Sequence, residues 1–222
     1  MTPVGEGRGQ DKAPDGARLV LATRNRHKVV ELRAILADTA AGQGIDLDHA
    51  VVGVDAFPEV ADVVESGVTF EANALLKAHA VAAATGLPAL ADDSGLAVDV
   101  MGGAPGIFSA RWSGRHGDDR ANLELLLAQL ADVPDEHRAA GFVCAAALVH
   151  PGGAEHVELG HLRGVLERAP RGDGGFGYDP ILRVDGDIRT LAELDPAEKN
   201  AISHRSRALR AIAPALLDVL RP

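Results

Sequence analysis

The charged and polar residues most able to do chemistry fall where strands meet turns or along polar helix faces. In "ADDSG" two aspartates, Asp92 and Asp93, close an apolar strand. Neighbouring strand residues point to opposite faces, so only one of the two serves a given site. Glu65, just ahead of "SGVTF", is a further carboxylate, and on the helix that follows Asn73 and Lys77 stand i, i+4 on one face, away from the apolar stripe. The turn "LATRNRHK" holds Asn25 and Lys28 where a strand runs into a helix, and the free N–H groups and helix dipole there favour an anion. Near the C-terminus "EKNAISHRSRAL" contributes Lys199, His204 and Arg205, while "GGFGYDP" offers Phe176, Tyr178 and Asp179 as an aromatic face with a carboxylate. Each has a plainer reading when taken singly: Asn25 as a helix cap, the lysines as solvated helix residues, the aspartates as a solvated turn, the C-terminal charges as surface. Together they supply two hard oxygen ligands suited to Mg²⁺, several cations for a polyphosphate and a shelf for a base, which is the chemistry of a nucleoside triphosphate.

The elements that would position these groups alternate strand and helix, so the fold class is α/β. "RLVLAT", "HAVVGV", "PALADD", "FVCAAALVH" and "PILRV" are apolar, largely β-branched runs that predict strands. Four segments have helical periodicity. In the first, Val29, Leu32, Ile35 and Leu36 form one stripe behind an Asn25 cap. In the second, Thr69 caps, Leu75, Leu76 and Ala80 face the core, and Gly86 with Pro88 stops the helix. "DDRANLELLLAQLAD" is the third. The fourth opens on a capping box, with Asp195 as cap, Pro196 in the first position and Glu198 closing it, and continues toward Leu220.

Residues Gly172 to Gly177 spell G-x-G-x-x-G, a nominal dinucleotide fingerprint. That motif needs a strand before it and a helix after it. Here a proline precedes the glycines, and "YDPILRV" after them is a turn and a strand. The match is accidental on this reading, and Walker A and the glutamate-rich Nudix helix are both absent.

Bulk properties narrow the partners. The 222 residues suit one domain, read as 18–222 behind a disordered leader at 1–17 that is rich in Gly, Pro and charge and lacks the apolar core of a signal peptide. No apolar run is long enough to span a bilayer, so a cytoplasmic protein with no membrane partner is expected. A formal net charge of -10 with 3% aromatics argues against nucleic acid, which asks for basic faces and stacking platforms, and leaves a free nucleotide as the ligand. The single cysteine, Cys144 in "FVCAAALV", reads as core.

The ordered set T-x-N-x-x-K (Thr23, Asn25, Lys28), "ESGVTFEANALLKA", "ADDSGLAVDVMGGAPGIFSARWSG", "GGFGYDP" and "EKNAISHR" resembles the inosine triphosphate pyrophosphatase family, the house-cleaning hydrolases of abnormal purine nucleotides, from about Leu19 to Leu217. The resemblance implies an elongated fold with a long twisted mixed sheet and an active-site cleft between two lobes. It also implies a homodimer, Mg²⁺ dependence, and cleavage of free ITP, dITP or XTP to the monophosphate and pyrophosphate. Carried over by position, Asp93 resembles the general base and metal ligand, Glu65 the other metal carboxylate and Ser94 a substrate contact. Thr23, Arg24, Asn25, Arg26, His27 and Lys28 match the phosphate loop, with Arg24, Arg26 and His27 acting through main chain. Lys77 and Lys199 look like substrate lysines. Phe176, Gly177, Tyr178, Asp179, His204 and Arg205 look like the nucleobase pocket.

Three departures stand out. The family's glutamate before Asn73 is Ala72 here, with Glu71 one step earlier and about 100° around the helix. Its tryptophan-proline pair ahead of the glycines reads "GHLRG", and the glycine after the His-Arg pair is Ser206. A pyrophosphatase for modified pyrimidine triphosphates would use the same metal chemistry, and a non-catalytic nucleotide sensor would keep the lysines and shelf without needing Asp93.

Overall fold

A computed structural model describes residues 13–24 and 26–221. The expectations for residues 1–12, for Asn25, and for the side chains of Arg26 and His27 lie outside it. Ala13 packs against the core, and the Ala17 N–H donates to the Pro14 carbonyl, so residues 13–17 are part of the fold.

The architecture is mixed α/β, as the alternation of apolar strands and periodic helices requires. Six strands form one sheet in the order β2-β1-β3-β4-β5-β6: β1 (Leu19–Leu21), β2 (Val51–Gly53), β3 (Ala89–Val98), β4 (Ala139–Val149), β5 (Glu155–Leu166) and β6 (Leu182–Val184). β1 runs parallel to β2 and β3, and the pairs from β3 to β6 are antiparallel. The helices are α1 (Arg26–Ala40), α2 (Leu47–Ala50), α3 (Phe70–Thr85), α4 (Asp119–Gln129), α5 (Pro196–Ile202) and α6 (His204–Leu220).

Unequal strand lengths make the site. β4 pairs with β3 along its whole length, but β1 meets it only at Ala89 and Leu90 before the chain turns toward α1. Beyond that turn, Asp92 and Asp93 sit on strand backbone that has lost its neighbour on one side. The sequence expectation put them at the end of the strand; they lie in its middle, because "SGLAV" continues it.

The core follows the same division. α1 and α6 cover one face of the β1–β3–β4 end, with Leu32, Leu36, Leu90, Cys144, Leu148 and Ile212 in contact. α3 covers the other through Ala74, Ala78, Ala89, Ala91, Ala145 and Ala147. A separate cluster fills the far end of the long strands, with Leu96, Leu126, Phe142, Leu162, Tyr178 and Leu182. Asp92 to Gly95 lie between the two lobes.

Four expectations need correcting. α3 buries Ala74, Ala78, Val81 and Ala82 most deeply; of the expected residues Leu75 does pack against the core, half-buried, while Leu76 is 38% exposed. The alanines on the sheet let the helix come close on its small-residue side, which outweighs the attraction of the leucines. The strand expected over "HAVVGV" is only Val51–Gly53, since Asp46 caps the short α2 ahead of it. β5 had no strand assigned, although Gly160, Leu162, Gly164 and Leu166 are buried and alternate with exposed residues; the glycines hide the period of two. The fourth helix is two helices. Ser203 adopts ψ 150 and its hydroxyl accepts from the Ser206 N–H at 3.1 Å, so it stops α5 and caps α6. That break puts His204 and Arg205 in the first turn of α6. The helix start lies close on β5, where a Cβ on Gly160 would overlap the His204 carbonyl and the Ala208 backbone.

Candidate active site

Asp93 faces α3, and Asp92 faces α1 and α6, so the aspartates do divide between the two faces of β3. Asn73 is fully buried and donates to Asp93 Oδ2 at 3.1 Å, while its own Oδ1 accepts the Gly67 N–H at 2.8 Å. It therefore ties the strand carboxylate to the loop that carries Glu65, and is no solvated helix residue. Lys77, one turn further, reaches Glu65 Oε1 at 2.8 Å and Asp93 Oδ1 at 3.4 Å. Thr69 sets the start of this helix by accepting the Ala72 N–H. Burial pushes the Asp93 carboxyl above the usual carboxylate range; Lys77 opposes this and Glu65 adds to it. Burial also works against the charge on Lys77, but Asp93 and Glu65 outweigh it and hold the ammonium above its ordinary value. A carboxylate with a raised proton affinity beside a firmly charged lysine is a competent proton acceptor next to an anion site.

On the opposite face Lys28 Nζ lies 3.0 Å from Asp92 Oδ2, and Arg205 reaches Asp92 Oδ1 and Glu31 Oε2, each at 3.3 Å. Burial raises the proton affinity of Asp92, but the two cations more than reverse this and keep it well below the usual range. Lys28 thus stands on the face away from Asp93. The terminal nitrogens of Arg205, expected to read a base, are both on carboxylates.

A cleft of about 390 Å³ opens beside the acid group, lined in part by Thr23, Arg24, Glu65, Lys77, Arg111 and His116. The turn at Thr23–Arg24 and the Glu65–Lys77 pair thus share one cavity. The Arg24 side chain is engaged across it, donating to Asp62 Oδ1 and the Val60 carbonyl. Arg111, 3.9 Å from Glu65 and stacked over Phe108, and His116 were not singled out from the sequence. Arg111 ends a 3₁₀ turn at Gly106–Arg111 and His116 lies beyond it, on irregular backbone with no period to read, although "SARWSG" was part of the resemblance. Ser94, next to Asp93, is exposed.

The expected base segment is a folded turn. Phe176 is 74% exposed, with Lys199 Nζ 4.7 Å from its ring centre. Asp179 holds the turn by accepting the Phe176 N–H at 2.8 Å and Lys199 Nζ at 2.5 Å. Tyr178 is not part of the shelf: it is 4% exposed, lies in the far lobe's core and donates its hydroxyl to the Ser109 carbonyl. The ring's size won a place in the core once its O–H found a partner. Gly172, Gly174 and Gly175 allow close approach, while Gly177 takes a positive φ of 60 in open space. A Cβ on Gly172 would overlap the Ala192 backbone, one on Gly175 would overlap the Asp179 carboxylate, and only a 3₁₀ turn, Asp179–Ile181, follows. His204 stacks on Phe142 with ring centres 4.8 Å apart, and its Nδ1 is buried with no hydrogen-bond partner among the described residues. Burial, helped by Lys199 and opposed by Asp92, lowers its pKa to about 3, so the ring is neutral.

These groups occur in an order, from the turn at Thr23 to the pair at His204, that matches one family over residues 19–215. The chain belongs to the Ham1 family. A protein of Streptomyces coelicolor named dITP/XTP pyrophosphatase is 64% identical over 203 residues, covering 91% of this chain and 98% of that protein. One of the same name from Nocardia farcinica is 57% identical, covering 90% of this chain and 95% of the relative. Among solved structures, a HAM1 protein from Coxiella burnetii superposes with a TM-score of 0.81 at 41% identity, over 91% of this chain and 99% of that one. A nucleoside-triphosphatase, dITP/XTP pyrophosphatase, from Mycobacterium abscessus gives 0.74 at 51% identity, over 89% and 99%.

Within this Ham1 chain the donors present suit a hard divalent cation. Among the described residues no three His, Cys, Asp or Glu side chains gather around one point. Mg²⁺ keeps most of its water and phosphate ligands and needs one or two carboxylates from the protein, and Glu65 and Asp93, joined through Lys77, are such a pair. The missing family acid leaves Ala72 packed against Gly67, where a Cβ on the glycine would meet it at 2.8 Å.

Proposed function

We propose that this Ham1 protein hydrolyses deaminated purine nucleoside triphosphates, dITP, ITP and XTP, to the monophosphate and pyrophosphate. The observation that carries the reading is Asp93, half-buried at the unpaired edge of β3, in contact with Lys77 and Asn73 and next to a cleft walled by Thr23, Glu65 and Arg111. Asp93 takes the proton of a water directed at the α-phosphorus. Lys77 and Arg111 offset charge on the departing pyrophosphate, typically the largest contribution to such a reaction. Asn73 fixes the Asp93 carboxylate so that it presents the same oxygen each turnover. Glu65 and Asp93 would hold Mg²⁺, which when bound polarises the phosphates and lowers the charge that the attacking oxygen meets.

For the base, Phe176 supplies the face and the start of α6 supplies the N–H groups of His204 and Arg205, those of Ser206 and Arg207 being taken by Ser203. A 6-keto oxygen accepts from such donors, whereas the adenine amino group meets donor with donor, so a dry site rejects ATP by up to ~10⁴–10⁵. A panel of dITP, XTP, ATP and a pyrimidine triphosphate at fixed Mg²⁺, reading pyrophosphate against orthophosphate, tests this. Pyrophosphate from dITP and XTP alone is expected; orthophosphate, or equal turnover of ATP, would remove the reading. The homodimer stands as a proposal from the family resemblance, and a monomer mass by light scattering would end it.

A further inference from the structure

Asp92 is the buried group that the reaction above leaves without a role. It lies one residue before the proposed base, on the other face of the strand, and binds one cation from each of two helices. Lys28 comes from the first turn of α1, directly after the phosphate turn, and Arg205 from the first turn of α6, beside His204. Glu31 of α1 holds the second arm of the same guanidinium, so α1 and α6 are joined through Arg205 as well as through Asp92.

We infer that Asp92 is a positioning residue that clamps the starts of α1 and α6 to the strand carrying Asp93. The carboxylate is 4% exposed on its side chain, and its bonds to Lys28 and Arg205 tie the first turns of both helices to β3. A nucleotide must meet the turn before α1 with its phosphates and the start of α6 with its base. The distance between those two points decides whether the α-phosphorus stands over Asp93, and a neighbour of Asp93 on the same strand is well placed to set it. Removing one partner of such a buried set loosens both helices together, whereas a surface ion pair would move neither.

The inference rests on the proposed nucleotide reading, and a double-mutant cycle tests it. kcat and KM for dITP are measured for the wild type, Asp92→Asn, Lys28→Met, Arg205→Met and the two double variants that pair Asp92→Asn with each cation change, below the Tm of all of them. Asp92→Asn is expected to lower kcat/KM about tenfold, chiefly through KM, and to add less than about threefold on either cation background. Full multiplication of the losses, or unchanged kinetics in Asp92→Asn, would overturn the clamp. If Asp92→Asn does not fold, Asp92→Glu keeps the charge and shifts the carboxylate by one methylene: a raised KM at wild-type Tm supports the inference, and a wild-type KM overturns it. Hydrogen exchange at residues 26–30 and 203–207 separates this from failure of the nucleotide reading. A wild type that yields no pyrophosphate removes that reading alone; the clamp then stands if exchange rises at both helix starts in the Asp92 variant and falls if it rises at neither or only one.

Discussion

Asp93 and Asp92 are chemically identical neighbours whose surroundings separate them: one has its proton affinity raised by burial, the other has it lowered by two cations. Asp93→Asn should therefore lower kcat by about 10²–10⁴, the usual contribution of a general base, with the circular dichroism spectrum unchanged. A variant within threefold of wild type would move the base elsewhere. Lys77→Met should cut kcat/KM for triphosphates, with little effect on the inhibition constant of a nucleoside monophosphate; equal loss for both would make Lys77 a structural partner of Glu65 only. His204 contributes to the pH dependence of stability. Its folded pKa, about 3, lies below its ordinary 6.5, so protonation favours the unfolded chain. The stability it contributes is complete above about pH 6.5 and drains away as the pH falls toward 3. His204→Gln should flatten the decline in urea midpoint between pH 7 and pH 5; an unchanged slope would mean that other groups govern it.

The start of α6 depends on two small residues, Ser203 and Gly160. Ser203→Ala removes a cap worth about 0.5–2 kcal/mol and should lower Tm while raising KM for dITP. Gly160→Ala places a methyl group against the His204 carbonyl, and overpacking of that kind costs about 1–3 kcal/mol. A Gly160→Ala protein with normal Tm and KM would show that α6 does not need the contact. These elements also mark what the sequence could and could not tell. The α1 stripe, the Thr69 and Asp195 caps and the apolar run of β4 depend on local chemistry, and all stand as read. The hidden period of β5 and the alanine face of α3 depend on what packs against them, which no local pattern contains, whereas the break at Ser203 is a local cap that the capping box ahead of it overshadowed. The site divides the same way: Asp93, Lys77 and Glu65 were legible by type and come together in space. Arg111 and His116, on irregular backbone, and the use of Arg205 by Asp92 were set by tertiary contacts.

Across the whole molecule, a chain of formal charge -10 gathers Lys28, Lys77, Arg111 and Arg205 around the point where its two lobes meet. A ligand that spans that point should stabilise the fold as a unit. With Asp93→Asn to prevent turnover, dITP at a hundred times its Kd should add about 2.7 kcal/mol, or roughly 5–10 °C in Tm for a chain of this size, and ATP at the same concentration much less. Equal shifts would show that the base is not read. The central claim is that water, directed by Asp93, attacks the α-phosphorus of the triphosphate. Hydrolysis of dITP in heavy-oxygen water tests this most directly, with the products weighed by mass spectrometry. The account predicts one heavy oxygen in the nucleoside monophosphate and none in the pyrophosphate; label in the pyrophosphate would place the attack on the β-phosphorus and contradict the account.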